Sequence, residues 1–211
     1  MHFPTPPGVK QVAVTLDACM GEADMRILTA LIANGIPATI FATRLWLAHN
    51  PGLIKLLATH RDLLVIQNHG AQHLPCVIGN ERPYGLTPAG TADGVFAEVM
   101  GGAQAVTAAF GVNPTWFRDA GAVYTKDALG LIGTMGLRIG GFSLNGDLGA
   151  SVAADVAHAR IAGAKSGDVI ISHINQPNRP AGAGVVQGLL TLKARGFSFV
   201  HLDDVDMVAL V

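Results

Sequence analysis

Short runs rich in Val, Ile and Phe recur along this chain between longer stretches of helical period, the pattern of strands alternating with helices around a parallel sheet. Seven such runs stand out, at residues 11–16, 38–41, 63–67, 115–117, 138–142, 168–172 and 197–200. Each is short and mostly apolar. Val169-Ile170-Ile171 has no alternation of apolar and polar positions, as expected of a strand covered on both faces. The helices between the runs carry recognisable ends. Asp24 is placed to cap a helix that closes at Asn34-Gly35, with Pro37 blocking its continuation, and Asn50-Pro51 opens the next. Stretches 91–110, 125–135 and 181–195 end at Gly111, Gly136 and Gly196. The expectation is an α/β fold with seven parallel strands closing into a (β/α) barrel.

At 211 residues, half of them apolar, the chain is long enough to bury one good core, and a single domain over 1–211 is expected. Its 14 basic and 15 acidic residues nearly cancel, so bulk charge draws in neither nucleic acid nor an anionic membrane, and a neutral substrate is expected. No apolar run approaches the roughly 18 residues of a membrane span. The opening Met1-His2-Phe3-Pro4 lacks the basic and then apolar pattern of an export signal.

In a parallel barrel, chemistry collects at the carboxyl ends of the strands, where the loops surround one mouth. Asp17 follows the first run, Asn68-His69 and His73 the third, Arg118 the fourth, Asn145 and Asp147 the fifth, and His173 and Asn175 the sixth. Between His73 and Thr91, a segment with three prolines and three glycines is expected to form a rim or lid. His69 and His73 are the sharpest feature, because neutral imidazole is the commonest zinc ligand and two of them four residues apart can meet one ion. Gly70 stands where a helical zinc protease would carry its glutamate, which disfavours that reading. Asp17 could take a proton from an attacking water or ligate the ion directly. Arg118 could pair with Asp17 or bind substrate. His173 is a candidate acid for a departing amine, and Asp147 either orients that imidazole or serves a turn beside Gly146.

Several motifs, taken in order, resemble those of the polysaccharide deacetylases, carbohydrate esterase family 4. Thr15-Leu16-Asp17-Ala18-Cys19 resembles the family's Thr-Phe-Asp-Asp-Gly element, and Gly35-Ile36-Pro37-Ala38-Thr39-Ile40-Phe41 its second strand. His69-Gly-Ala-Gln-His73 matches the two-histidine motif in spacing, Trp116-Phe117-Arg118 resembles the arginine motif, and Ile170-Ile171-Ser172-His173 the late histidine motif. The resemblance runs from Val12 to about Val205 and implies a distorted seven-stranded barrel. It further implies that His69 and His73 bind a divalent ion, usually zinc, that Asp17 is the base, that Arg118 supports it and that His173 is the acid. An acetylated carbohydrate would be the substrate.

The chain also departs from the family's pattern. Ala18 stands where the family has its third metal ligand, so Asp17 is either recruited to the ion or left as the base. Asp119-Ala120-Gly121 replaces the usual two prolines, aromatic and glycine. Glu81-Arg82-Pro83-Tyr84-Gly85 mimics the arginine motif but lacks a preceding strand and is expected to be loop. Asp147 matches the family's aspartate-tryptophan element only loosely. Two other functions stay open: a carbohydrate-binding relative that has lost hydrolysis with the ligand at position 18, and a cysteine hydrolase using Cys19 with His173. Cys19 and Cys76 both fall near the mouth, where a disulfide could brace it. A periplasmic or secreted location is expected if that bond forms and a signal has been trimmed, a cytoplasmic one otherwise.

Overall fold

Strand β1 (Gln11–Ala18) sets the frame. Val12, Val14, Leu16 and Ala18 pack into the main core with Ile27, Leu28 and Leu31, while Ala13 joins a second cluster with Phe41, Trp116 and Val169 on the inner side. That alternation follows from the two-residue period of a strand, and it sends Thr15 and Asp17 into the barrel interior. Outward from β1 on one side come β2 (Ala38–Ala42), β3 (Leu64–Asn68), β4 (Trp116–Phe117) and β5 (Arg138–Ile139). On the other side come β7 (Val169–His173) and then β6 (Leu144–Asn145). The last strand, β8 (Ser198–Val200), pairs with the first half of β1, and every strand pair is parallel. The computed structural model describes residues 1–208.

The expected barrel is present, with one change in its wall. The run expected at 138–142 is paired only at Arg138–Ile139, where Gly140 and Gly141 end it, and a further short strand, Leu144–Asn145, lies beyond the expected bounds. β5 pairs with β4 at one end of the sheet and β6 with β7 at the other, so residues 140–143 run between the two edges of the curled sheet. Gly140 donates to the Phe117 carbonyl and Ser143 to that of Val169, at 2.8 and 3.0 Å. A side chain at 140 is excluded, since its Cβ would lie 2.4 Å from Cζ of Phe41.

Helices α1 (Met25–Asn34), α2 (Arg44–His49), α3 (Pro51–Thr59), α4 (Ala92–Phe110), α5 (Lys126–Thr134), α6 (Ala154–Ala162) and α7 (Ala181–Ala194) cover the sheet. The predicted caps hold: Asp24 accepts from the Arg26 N–H, and Gly35 closes α1 at φ 59°. Burying Ile27, Leu28 and Leu31 contributes about 1.5–3 kcal/mol each. Helices α2 and α6 are additions to the sequence expectation. The α6–α7 seam is built from small residues, with a Cβ on Gly184 falling 2.0 Å from the Ala154 carbonyl oxygen, so no stripe of large apolar residues announces it. No helix among the described residues is long and apolar enough to cross a membrane.

Candidate functional site

Strand register alone gathers the polar residues into one layer. Asp17 pairs in register with His173 across β1 and β7, and Asn68 with Ala42 and Phe117 across β2, β3 and β4. The His69 N–H donates to Ala42 and the Arg118 N–H to Asn68, each at 3.0 Å, which carries both residues to the same level just past the strand ends. Asp17 and His173 were both expected just past their strands; Asp17 is instead the last residue but one of β1, and His173 is the last of β7.

Arg118 is wholly buried, and four of the five N–H groups of its guanidinium have protein partners. Nη1 donates to Oδ1 of Asp17 at 2.7 Å and to Oγ1 of Thr15 at 2.9 Å, while Nε and Nη2 reach the carbonyls of Gly140 and Gly141 at 2.6 and 3.0 Å. Its other face lies 4.3 Å from the centre of the Phe41 ring. Of the two options in the sequence, pairing with Asp17 and reaching for substrate, the structure therefore takes the first. Burial alone would raise the pKa of Asp17, but the charge and hydrogen bond of Arg118 outweigh it and hold the carboxyl below its ordinary range.

His69 Nδ1 sits 2.7 Å from the Arg118 carbonyl, an acceptor only, so this nitrogen carries the proton and Nε2 presents a lone pair to the barrel mouth. Nε2 lies 3.7 Å from Oδ2 of Asp17 and 3.5 Å from Sγ of Cys19. The rings of His69 and His73 meet edge to face with centres 5.0 Å apart. Burial pushes both imidazoles down, His73 to about 3, with the Asp17 carboxylate only partly offsetting this at His69. Both rings are therefore neutral at ordinary pH, the form a metal requires. Donor atoms of Cys19, His69 and His73 all fall within 4.8 Å of one another, so these residues fit a divalent ion. Asp17, expected as a possible third ligand, adjoins His69 but stands outside that group.

His173 and Asp147 form a couple. Asp147, fully buried, accepts the backbone N–H of His173 at 2.6 Å through Oδ2 and faces its Nδ1 at 2.9 Å through Oδ1. Burial opposes the charge on His173, yet the Asp147 bond and the carboxylates of Asp147 and Asp17 raise its pKa above the usual imidazole value. Of the two roles weighed for Asp147, orienting the imidazole is the one the geometry contains.

Two positioning residues escaped the sequence. Glu98, buried on α4, accepts the N–H groups of Gln72 and Leu74 at 2.9 to 3.1 Å and so fixes the 70–74 turn. His73 holds φ 62° in that turn, a backbone state uncommon for a non-glycine residue. A signal was present, because Glu98 shares the buried stripe of Val95, Val99, Gly102 and Val106. Asp119 accepts the Cys76 and Val123 N–H groups at 2.6 and 3.0 Å, tying the expected rim to the turn after β4. The rim itself contains a short 3-10 turn, Pro83–Gly85, with Tyr84 80% exposed, and no strand precedes that arginine-motif mimic.

The Cys19–Cys76 disulfide that the sequence left open is not formed. Both thiols are free, and Cys76 packs with Val95, Val99 and Phe117 while Cys19 faces His69. Burial and the carboxylates of Asp17 and Asp147 push the Cys19 thiol well up, and its one side-chain contact is to His69, both unfavourable to a cysteine nucleophile paired with His173.

The fold is a parallel (β/α) barrel that brings two neutral imidazoles, an arginine-held carboxylate and a histidine–aspartate couple to its mouth. The family described as polysaccharide deacetylase matches residues 5–140, and the chain belongs to it. Solved structures of the same fold include a family 4 carbohydrate esterase pseudoenzyme from Bacillus anthracis, with TM-score 0.77 and 17% identity over 95% of this chain and 66% of that one. Another is the family 4 carbohydrate esterase from Streptomyces lividans in complex with acetate, with TM-score 0.71 and 20% identity over 90% and 91% of the two chains. A third is the Bc1960 peptidoglycan N-acetylglucosamine deacetylase, with TM-score 0.77 and 19% identity over 99% and 92%. No curated protein matches the sequence.

Proposed function

We propose that this protein is a metal-dependent deacetylase that hydrolyses acetyl groups from an N- or O-acetylated carbohydrate. The observation that carries this reading is the meeting of His69 and His73 beside the Asp17–Arg118 pair and the His173–Asp147 couple at one level of the barrel mouth. His69 and His73 would hold a divalent ion, zinc being the best match to their nitrogen donors, and that ion would supply Lewis acidity to the acetyl carbonyl and to water. Asp17, kept ionised by Arg118, accepts the proton of the attacking water. His173, kept protonated by Asp147, donates to the leaving amine or hydroxyl as the bond to the acyl carbon breaks. Acetate and the free amine or alcohol result, with one water consumed.

The test is acetate release from a panel of acetylated sugars and oligosaccharides, using protein stripped of metal and then reloaded. Alanine at His69 or His73 is expected to remove both metal and activity, while His173→Ala keeps the metal and loses about 10²- to 10⁴-fold in turnover. An active, metal-free double histidine variant contradicts the reading. The second reading, a binding protein without hydrolysis, is favoured by Ala18 and by a pseudoenzyme sharing the fold. Saturable sugar binding without acetate release from the metal-loaded protein would establish it.

A further inference from the structure

Resting on that metal-dependent reading, we propose that Cys19 supplies the third protein ligand as a thiolate, leaving Asp17 outside the coordination sphere as the base. Ala18 offers no donor and packs into the main core with Leu16 and Trp46. One residue on, Cys19 follows Thr15 and Asp17 on the inward phase of the strand and brings Sγ to 3.5 Å from the bare Nε2 of His69, which is 1% exposed. Bond lengths of about 2.3 Å to sulfur and about 2.0–2.1 Å to nitrogen at a tetrahedral angle put sulfur and nitrogen about 3.5 Å apart. The Cys19–His69 separation already equals that edge, and the His73 donor completes the group within 4.8 Å.

The backbone around the thiol is clamped in advance. Thr43 donates its N–H to the Ala18 carbonyl at 3.1 Å and its hydroxyl to that of Cys19. Ile174 donates to the Asp17 carbonyl at 3.0 Å, and Nδ2 of Asn175 to that of Met20 at 2.8 Å. Asp17, by contrast, commits Oδ1 to Arg118. Binding would release the Cys19 proton to bulk water as the metal–sulfur bond forms, with no change of oxidation state. A thiolate beside two imidazoles selects zinc and cobalt over magnesium, calcium and manganese.

The experiment is titration of the metal-free protein with Co²⁺, followed by optical absorption and by metal analysis after desalting. One bound ion per chain with a near-ultraviolet thiolate-to-cobalt charge-transfer band is expected. The band should persist in Cys76→Ala, where Cys19 is the only thiol, and vanish in Cys19→Ser, with zinc affinity lowered by more than about tenfold, a cost that even outer residues of metal sites carry. Because Cys76→Ala decides the assignment without altering Cys19, a Cys19→Ser variant that fails to fold does not blunt the test. One bound ion with no charge-transfer band overturns the thiolate ligand while leaving the metal-dependent reading intact. No bound ion overturns both.

Discussion

Arg118 holds the centre of the mouth together, and replacing it with methionine exposes how much the buried charges there depend on one another. The substitution keeps an unbranched apolar stem against Phe41 but removes hydrogen bonds to Asp17, Thr15, Gly140 and Gly141. Asp17, 3% exposed, is left as a buried carboxylate without its partner. Breaking one side of such a pair costs about 3–5 kcal/mol, and roughly 4 kcal/mol at pH 7 lowers the folding constant by about three orders of magnitude. The sign of the pH dependence follows from Asp17. Its folded pKa in the parent is depressed, so its contribution is complete above the unfolded carboxyl value of about 3.9 and is lost as pH falls through the folded one. Without Arg118, burial becomes the dominant influence and the folded pKa rises, so the variant regains stability as acid neutralises Asp17. Urea unfolding of the chelator-treated proteins should show the gap at pH 7 and a smaller one at pH 5. A difference below about 1 kcal/mol, the scale of an exposed pair, or one that does not change with pH, refutes the argument.

Asp147→Asn should move the alkaline limb of the pH–rate profile to lower pH, since the raised pKa of His173 keeps the acid protonated until pH passes that value; an unmoved limb contradicts the couple's role. Glu98→Ala frees the N–H groups of Gln72 and Leu74 and should weaken zinc affinity about 10- to 100-fold in a chelator competition, whereas unchanged affinity would show that the 70–74 turn holds itself. Gly70→Ala should destabilise the fold by about 1–3 kcal/mol or more in thermal unfolding, because Gly70 has φ 91° and its Cβ would lie 2.2 Å from Oε1 of Glu98. A melting point equal to that of the parent would mean the turn relaxes freely.

The placement of Asp17, His69, Arg118 and His173 around one mouth was legible because a parallel barrel gathers its strand ends there, and Asp17 and His173 do stand in register. Helix ends were equally plain, since Asp24 and Gly35 act through local backbone chemistry. What stayed hidden depends on contacts distant in the chain. The early end of the strand expected at 138–142 coincides with Gly140, where Phe41 leaves no room for a Cβ, a crowding that no local pattern records. Cys76 lies among Val95 and Phe117 with its N–H held by Asp119 across 43 residues of sequence, which local pattern does not record. Glu98 lay inside an apolar helix stripe, where periodicity marks burial but not what the carboxylate grips. The partnership of Cys19 with His69 arises only when the loop after β1 meets the end of β3.

The most direct test of the account is a crystal structure of the protein grown with zinc, phased on the metal's anomalous signal. The account predicts one strong peak at the barrel mouth, with a nitrogen of His69 and a nitrogen of His73 each about 2.0–2.1 Å from it. A peak elsewhere, or a mouth in which the two rings turn to separate protein partners with the ion excluded, contradicts it.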